Sequence, residues 1–174
     1  MANYHKFRRS SIRLQQWDYG WAAAYFVTIC TKDRRHYFGY IADQRMHLSN
    51  AGVVAELLWH EIKNHAKDVS LGPFVVMPNH VHGIIILQED HPISTQNHHA
   101  SPGQQRYQNP GKNTLSSMIG GYKSAVSRHC NRLGINFAWQ RGFYERIIRD
   151  KRAFLQISQY ILNNPANWTK DRLR

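Results

Sequence analysis

The hydrophobic positions fall into two patterns along the chain, continuous β-branched and aromatic runs and positions at helical spacing. Tyr25-Phe26-Val27-Thr28-Ile29-Cys30-Thr31 is a β-branched and aromatic run, the pattern of a strand, and it runs into the polar turn Lys32-Asp33-Arg34-Arg35. A short strand or hairpin arm is expected near Met46-His47-Leu48. Val53, Val54, Leu57, Leu58 and Ile62 then recur at helical spacing behind Ser49 or Asn50, which predicts a helix over 50–65. Phe74-Val75-Val76-Met77 and the isoleucine-rich run from Val81 to Leu87 read as two strands, with Pro78-Asn79 as the turn of a hairpin.

Residues 88–113 are rich in Gln, Asn, His, Ser, Pro and Gly and carry almost no aliphatic side chains, as expected of a flexible surface insertion. Its His91, His98 and His99 are read as solvated loop residues. Helical spacing returns in Leu115, Met118, Ile119, Tyr122, Val126, Cys130 and Leu133, with Gly134 placed as a helix C-cap. Phe143 to Ile148 reads as a strand, and Asp150 caps a last helix over 151–164 that Pro165 ends. Its expected core arc holds Phe154, Leu155, Ile157, Ile161 and Leu162. The order strand, helix, hairpin, helix, strand, helix fits an α+β fold, a ferredoxin-like antiparallel sheet with helices packed on one face.

Length and charge narrow the class. With 174 residues, the chain is the size of one domain: a basic N-terminal arm at 1–18 and a single domain at 19–174. Lys and Arg number 23 against 11 Asp and Glu, a formal charge of +12, which points to a polyanionic partner such as nucleic acid. No apolar run is long enough to span a bilayer, and the basic N-terminus is not followed by the apolar stretch of a secretory signal. Two cysteines, Cys30 and Cys130, are too few for a disulfide scaffold. A cytoplasmic protein without a membrane partner is expected.

Three features could carry chemistry. On a strand, His80 and His82 point to one face, so two imidazole nitrogens can meet one divalent ion. Two polar residues on a half-exposed strand have the same spacing. On the last helix Tyr160 and Asn164 are an i, i+4 pair at one margin of the core arc. That is also what a boundary tyrosine and a helix-ending asparagine look like. Lys123, Arg128, Arg132, Arg141, Arg146 and Arg149 lie among Tyr122, Trp139, Phe143 and Tyr144, the makeup of a groove that follows phosphates and stacks bases. No phosphate-binding glycine loop, serine nucleophile elbow or acidic pair for two Mg²⁺ ions is present.

Together these stretches resemble a known family. Val75-Val76-Met77-Pro78-Asn79-His80-Val81-His82-Gly83-Ile84 resembles the His-hydrophobic-His ("HUH") block of single-tyrosine transposases, of the insertion-sequence type or their REP-associated relatives. Trp139 to Arg149 resembles the block before their last helix, and Tyr160-Ile161-Leu162-Asn163-Asn164-Pro165 their catalytic-tyrosine block. The likeness spans about 19–168, in the right order. It implies a ferredoxin-like fold, Tyr160 as nucleophile, and Mg²⁺ or Mn²⁺ held by His80, His82 and Asn164. It further implies that single-stranded DNA is cut and rejoined beside hairpins through a 5′-phosphotyrosine. In members that act across a dimer, a second copy of the chain is a further partner. Two other readings fit the residues: a non-catalytic single-stranded nucleic-acid binder on the same fold, and a small metalloprotein using His80, His82 and the loop histidines His91, His98 and His99.

Overall fold

The computed structural model describes residues 23–87, 114–171 and 173. The expected arm at 1–18 and insertion at 88–113 lie outside the described residues. The chain runs β1 (Ala23–Cys30), β2 (Gly39–Ala42), β3 (Arg45–Leu48), α1 (Asn50–His65), β4 (Val69–Met77), β5 (His80–Leu87), α2 (Leu115–Arg132), β6 (Tyr144–Ile148) and α3 (Lys151–Leu162). Short 3₁₀ turns follow β1 at Lys32–Arg34 and α3 at Pro165–Lys170.

Four strands form one antiparallel sheet in the order β4-β5-β1-β6, while β2 and β3 make a separate hairpin. In this order β5 lies between β1 and β4, the two strands joined through α1. That is the split β-α-β arrangement implied by the element order. The expected helix over 50–65 is α1, with Ser49 Oγ accepting from the Gly52 amide at 3.2 Å. Thr114 and Ser117 form a capping box on α2, Gly134 takes a positive φ of 67° after it, and Asp150 Oδ1 caps α3 through the Ala153 amide.

The two faces of the sheet carry different cores. Tyr25, Val27, Ile29, Val81 and Ile85 project to one face, where α1 and α2 cover them through Ala51, Ala55, Trp59, Ile119, Tyr122 and Val126. Ala24, Phe26, Val75, Ile84, Ile86 and Ile148 form the other, covered by Phe154, Ile157 and Ile161 of α3. The helices therefore do not all share one face, as the sequence reading expected: α3 packs opposite α1 and α2. Alternation on β1 and β5 explains it, because both central strands are apolar on both sides and need two layers.

Two helix faces also differ from their expected centres. Leu155 and Leu162 are 52% and 65% exposed, so the buried stripe of α3 is the narrower Phe154–Ile157–Ile161 row. On α1, Val53 and Leu57 are exposed, and Ala51, Gly52, Ala55, Trp59 and Ile62 form the inner face. Trp59 turns the helix this way. Its indole lies on Gly83 of β5, where a Cβ would come within 2.2 Å of the ring. Glycine at position 83 thus admits the largest core side chain directly behind the strand that bears the two histidines.

Candidate active site

His80 and His82 begin β5, immediately after the Pro78-Asn79 turn, and both are almost fully buried on the α3 face. In register, His82 stands between Thr28 and Val75, and His80 between Cys30 and Met77. The two rings lie 4.4 Å apart between centroids.

Each ring is oriented by a neighbour through Nδ1. The Thr28 hydroxyl lies 2.8 Å from Nδ1 of His82, leaving Nε2 for the site. For His80 the chain of bonds is longer. Asn79 Nδ2 donates to the Leu173 carbonyl at 2.6 Å, so its Oδ1 faces Nδ1 of His80 at 2.7 Å. Nδ1 of His80 must then carry the proton, and the Nε2 lone pair is free. Burial lowers the pKa of His80 to about 2, aided by the nearby His82 and Arg34. Burial likewise lowers His82 to about 4, against a backbone hydrogen bond to Val27. Both imidazoles are neutral at pH 7, the state in which histidine binds a metal.

Tyr160 comes from the last turn of α3, with its hydroxyl 3.4 Å from Nε2 of His82. Phe26 packs against both rings, at 5.1 Å from His82 and 6.1 Å from Tyr160. The tyrosine is 48% exposed, so the residue lies at the edge of the buried site. Burial raises its pKa, and a side-chain hydrogen bond from Asn164 works in the opposite direction. Although α3 ends at Leu162, Asn163 and Asn164 keep right-handed helical dihedrals, which preserves the i, i+4 relation of Tyr160 and Asn164. Asn164 is buried, and its Oδ1 has no hydrogen-bond partner among the described residues.

Asp171 is the residue that motif reasoning missed. It follows the 3₁₀ turn, and its Oδ2 lies 3.6 Å from Nε2 of His80. Ligand atoms of His80, His82 and Asp171 all fall within 4.8 Å of one another. Its one sequence signal is that no other carboxylate side chain follows Asp150. Trp168, in the same turn, packs against His36 and His80. The orphaned atoms test whether a cation fits here. Nε2 of His80, Oδ1 of Asn164 and Oδ2 of Asp171 are all buried and make no hydrogen bond among the described residues. Buried lone pairs without donors are costly, and a cation satisfies them, so the residues fit a divalent metal.

The basic candidates separate into two layers. Arg146 and Tyr144 of β6 pair with Phe26 and Thr28, so both lie on the histidine face, and both are exposed. Arg141 and Arg149 flank that strand and are exposed. Arg128 and Arg132 are on α2, across the sheet from His80 and His82. Lys123 donates to the Gln140 and Gly142 carbonyls, both at 2.7 Å, and lies over the Trp139 ring. It ties α2 to the segment before β6. Tyr122 of α2 is buried on the far face with its hydroxyl donating to the Ala55 carbonyl. Both cysteines are buried with raised pKa values, so neither is an activated thiol.

Comparison with known proteins adds to this geometry. No protein-family model matches the chain. An uncharacterized protein of Haemophilus influenzae is 36% identical over 166 residues, covering 95% of this chain and 92% of its own length. A REP-associated tyrosine transposase, solved bound to a REP hairpin, superposes with a TM-score of 0.60. The alignment is 20% identical and covers 88% of this chain and 72% of that one, a likeness of fold. No helix among the described residues is long and apolar enough to cross a membrane.

Proposed function

We propose that this chain, which belongs to one family with the Haemophilus influenzae protein and has the fold of a REP-associated tyrosine transposase, cuts and rejoins single-stranded DNA through Tyr160. The observation that carries the reading is the placement of the Tyr160 hydroxyl 3.4 Å from His82, beside buried acceptor atoms that lack partners among the described residues. His80, His82 and Asn164 would hold Mg²⁺ or Mn²⁺. Such an ion supplies a Lewis acid that withdraws charge from the scissile phosphate.

The chain's own residues do the rest. Tyr160 Oη bonds to phosphorus as the bond from phosphorus to the 3′ oxygen breaks. The phenol proton leaves, and the departing oxygen takes one up as a 3′-hydroxyl. The product is a 5′-phosphotyrosine, which keeps the phosphodiester bond energy. A second 3′-hydroxyl can therefore reverse the step and join a new strand without ATP. Asn164 supports the phenolate by its hydrogen bond, offsetting the burial that raises the Tyr160 pKa. Phe26 holds the tyrosine ring edge-on and limits its swing.

The DNA strand would cross the exposed part of the same face. Tyr144 offers a ring for base stacking and Arg146 a guanidinium for phosphate, with Arg141 and Arg149 at the two ends of β6. The fold neighbour was solved with a REP hairpin, which makes hairpin-bearing single strands the first substrates to try.

The test is a denaturing gel. Labelled single-stranded DNA from the flanks of the gene is mixed with protein in Mn²⁺ or EDTA, with Tyr160→Phe alongside. A metal-dependent adduct that survives denaturation and disappears in Tyr160→Phe is the expected result. Tight binding to hairpin DNA with no adduct would favour a non-catalytic binder, and an adduct that persists in the variant would move the nucleophile to Tyr144.

A further inference from the structure

We infer that Asp171 is an anionic ligand of the same cation, delivered by the segment that follows the tyrosine helix, and that it sets the preference of the site for hard ions. The inference rests on the metal reading above and deepens it.

Three observations converge on Asp171. First, the Asn79 bridge puts the His80 proton on Nδ1, so Nε2 presents a lone pair. Facing it at 3.6 Å is Oδ2 of Asp171. Two acceptors at this distance repel unless a positive charge lies between them. Second, neither atom has a hydrogen-bond partner among the described residues, and the two side chains are only 0% and 4% exposed. A carboxylate oxygen left bare in such a place is costly. Third, the segment is locked where it lies. Leu173 donates its amide to Oδ1 of Asp171 at 2.7 Å and accepts from Asn79 through its carbonyl. Trp168 packs against His80. Asn79 therefore links both sides: it orients the His80 ring and anchors the backbone that carries Asp171.

The chemical consequence concerns ion selection. Two imidazoles and an amide are neutral and suit Zn²⁺ as well as Mn²⁺. A carboxylate shifts the balance toward Mg²⁺ and Mn²⁺, which favour charged oxygen ligands. It also lowers the net charge of the loaded site by one unit.

Calorimetric titration of the full chain with Mn²⁺ and, separately, Zn²⁺ tests this without any turnover. Asp171→Asn keeps an oxygen for the Leu173 amide but removes the charge. It should weaken Mn²⁺ binding roughly tenfold or more, as loss of a well-placed metal partner does. Zn²⁺ should be weakened less, so the ratio of the two affinities moves toward Zn²⁺. Asp171→Glu restores the charge and should recover part of the Mn²⁺ preference, which also guards against misfolding of the amide variant. Unchanged Mn²⁺ affinity in Asp171→Asn, while His82→Ala loses binding, would overturn the inference and leave the metal reading intact. Equal loss of both ions in Asp171→Asn, without recovery in Asp171→Glu, would likewise reduce Asp171 to a structural tether. If the wild-type chain bound neither ion, the metal reading would fail, and the inference with it.

Discussion

The hydroxyl of Tyr160 and Nε2 of His82 meet at 3.4 Å, although 78 residues separate them in the chain. Neither lies in a loop. His82 stands on a central strand and Tyr160 on a helix packed against that strand, so both are held by the core rather than by each other. Tyr160→Phe should accordingly fold with an unchanged melting temperature and bind single-stranded DNA as the wild type does. It should give no covalent adduct on a denaturing gel. Loss of binding together with the adduct would mean that the phenol serves recognition instead.

Thr28 holds His82 from behind, through Nδ1 at 2.8 Å. Thr28→Val preserves shape and removes that bond. Metal affinity should fall by roughly 10- to 100-fold, as found for partners that orient metal-binding histidines. Titration with Mn²⁺ reads this directly. An unaltered affinity would show that packing against Phe26 alone orients the ring.

Acid should destabilise the metal-free protein in a defined window. Burial holds the folded-state pKa of His82 at about 4 and of His80 at about 2, both below the ordinary value of 6.5. The unfolded chain therefore binds more protons as the pH falls below 6.5, and stability falls with it. Each histidine contributes a slope of about 1.4 kcal/mol per pH unit until its own folded-state value is reached. Urea midpoints in EDTA at pH 7.5, 6 and 5 would reveal it, and a flat profile across that range would count against neutral burial of the pair.

Gly83→Ala tests the support beneath the site. The added methyl group would come 2.2 Å from the Trp59 ring, which cannot retreat from a filled core. A loss of about 1–3 kcal/mol is expected from overpacking, with a lower thermal midpoint. An unchanged midpoint would mean that α1 can shift as a unit.

The basic residues should behave differently by layer. Arg146→Ala removes an exposed charge from the histidine face and should weaken single-stranded DNA binding while lowering the salt dependence by about one ion. Arg128→Ala, on the far layer, should change binding little. Lys123→Ala removes two bonds to backbone carbonyls and should lower the melting temperature. Fluorescence anisotropy at two salt concentrations and a thermal melt separate these outcomes. A larger binding loss for Arg128→Ala than for Arg146→Ala would place the DNA on the other layer.

Much of this protein was legible in local sequence. Runs of β-branched and aromatic residues marked the strands, and a period of 3.6 marked the helices. Ser49 and Asp150 marked helix starts, Gly134 a helix end, and the spacing of His80 with His82 and of Tyr160 with Asn164 put each pair on one face. These are properties of a few consecutive residues, where backbone geometry alone decides which side chains are neighbours. What local pattern could not decide was which face each helix covers, since β1 and β5 are apolar on both sides. Nor could it show that Asn79 orients His80, that Lys123 is bound to carbonyls, or that Asp171 reaches the histidines from 91 residues away in the chain. Those relations depend on how distant segments dock. Docking is settled by the packing of the whole core, not by the period of any one segment.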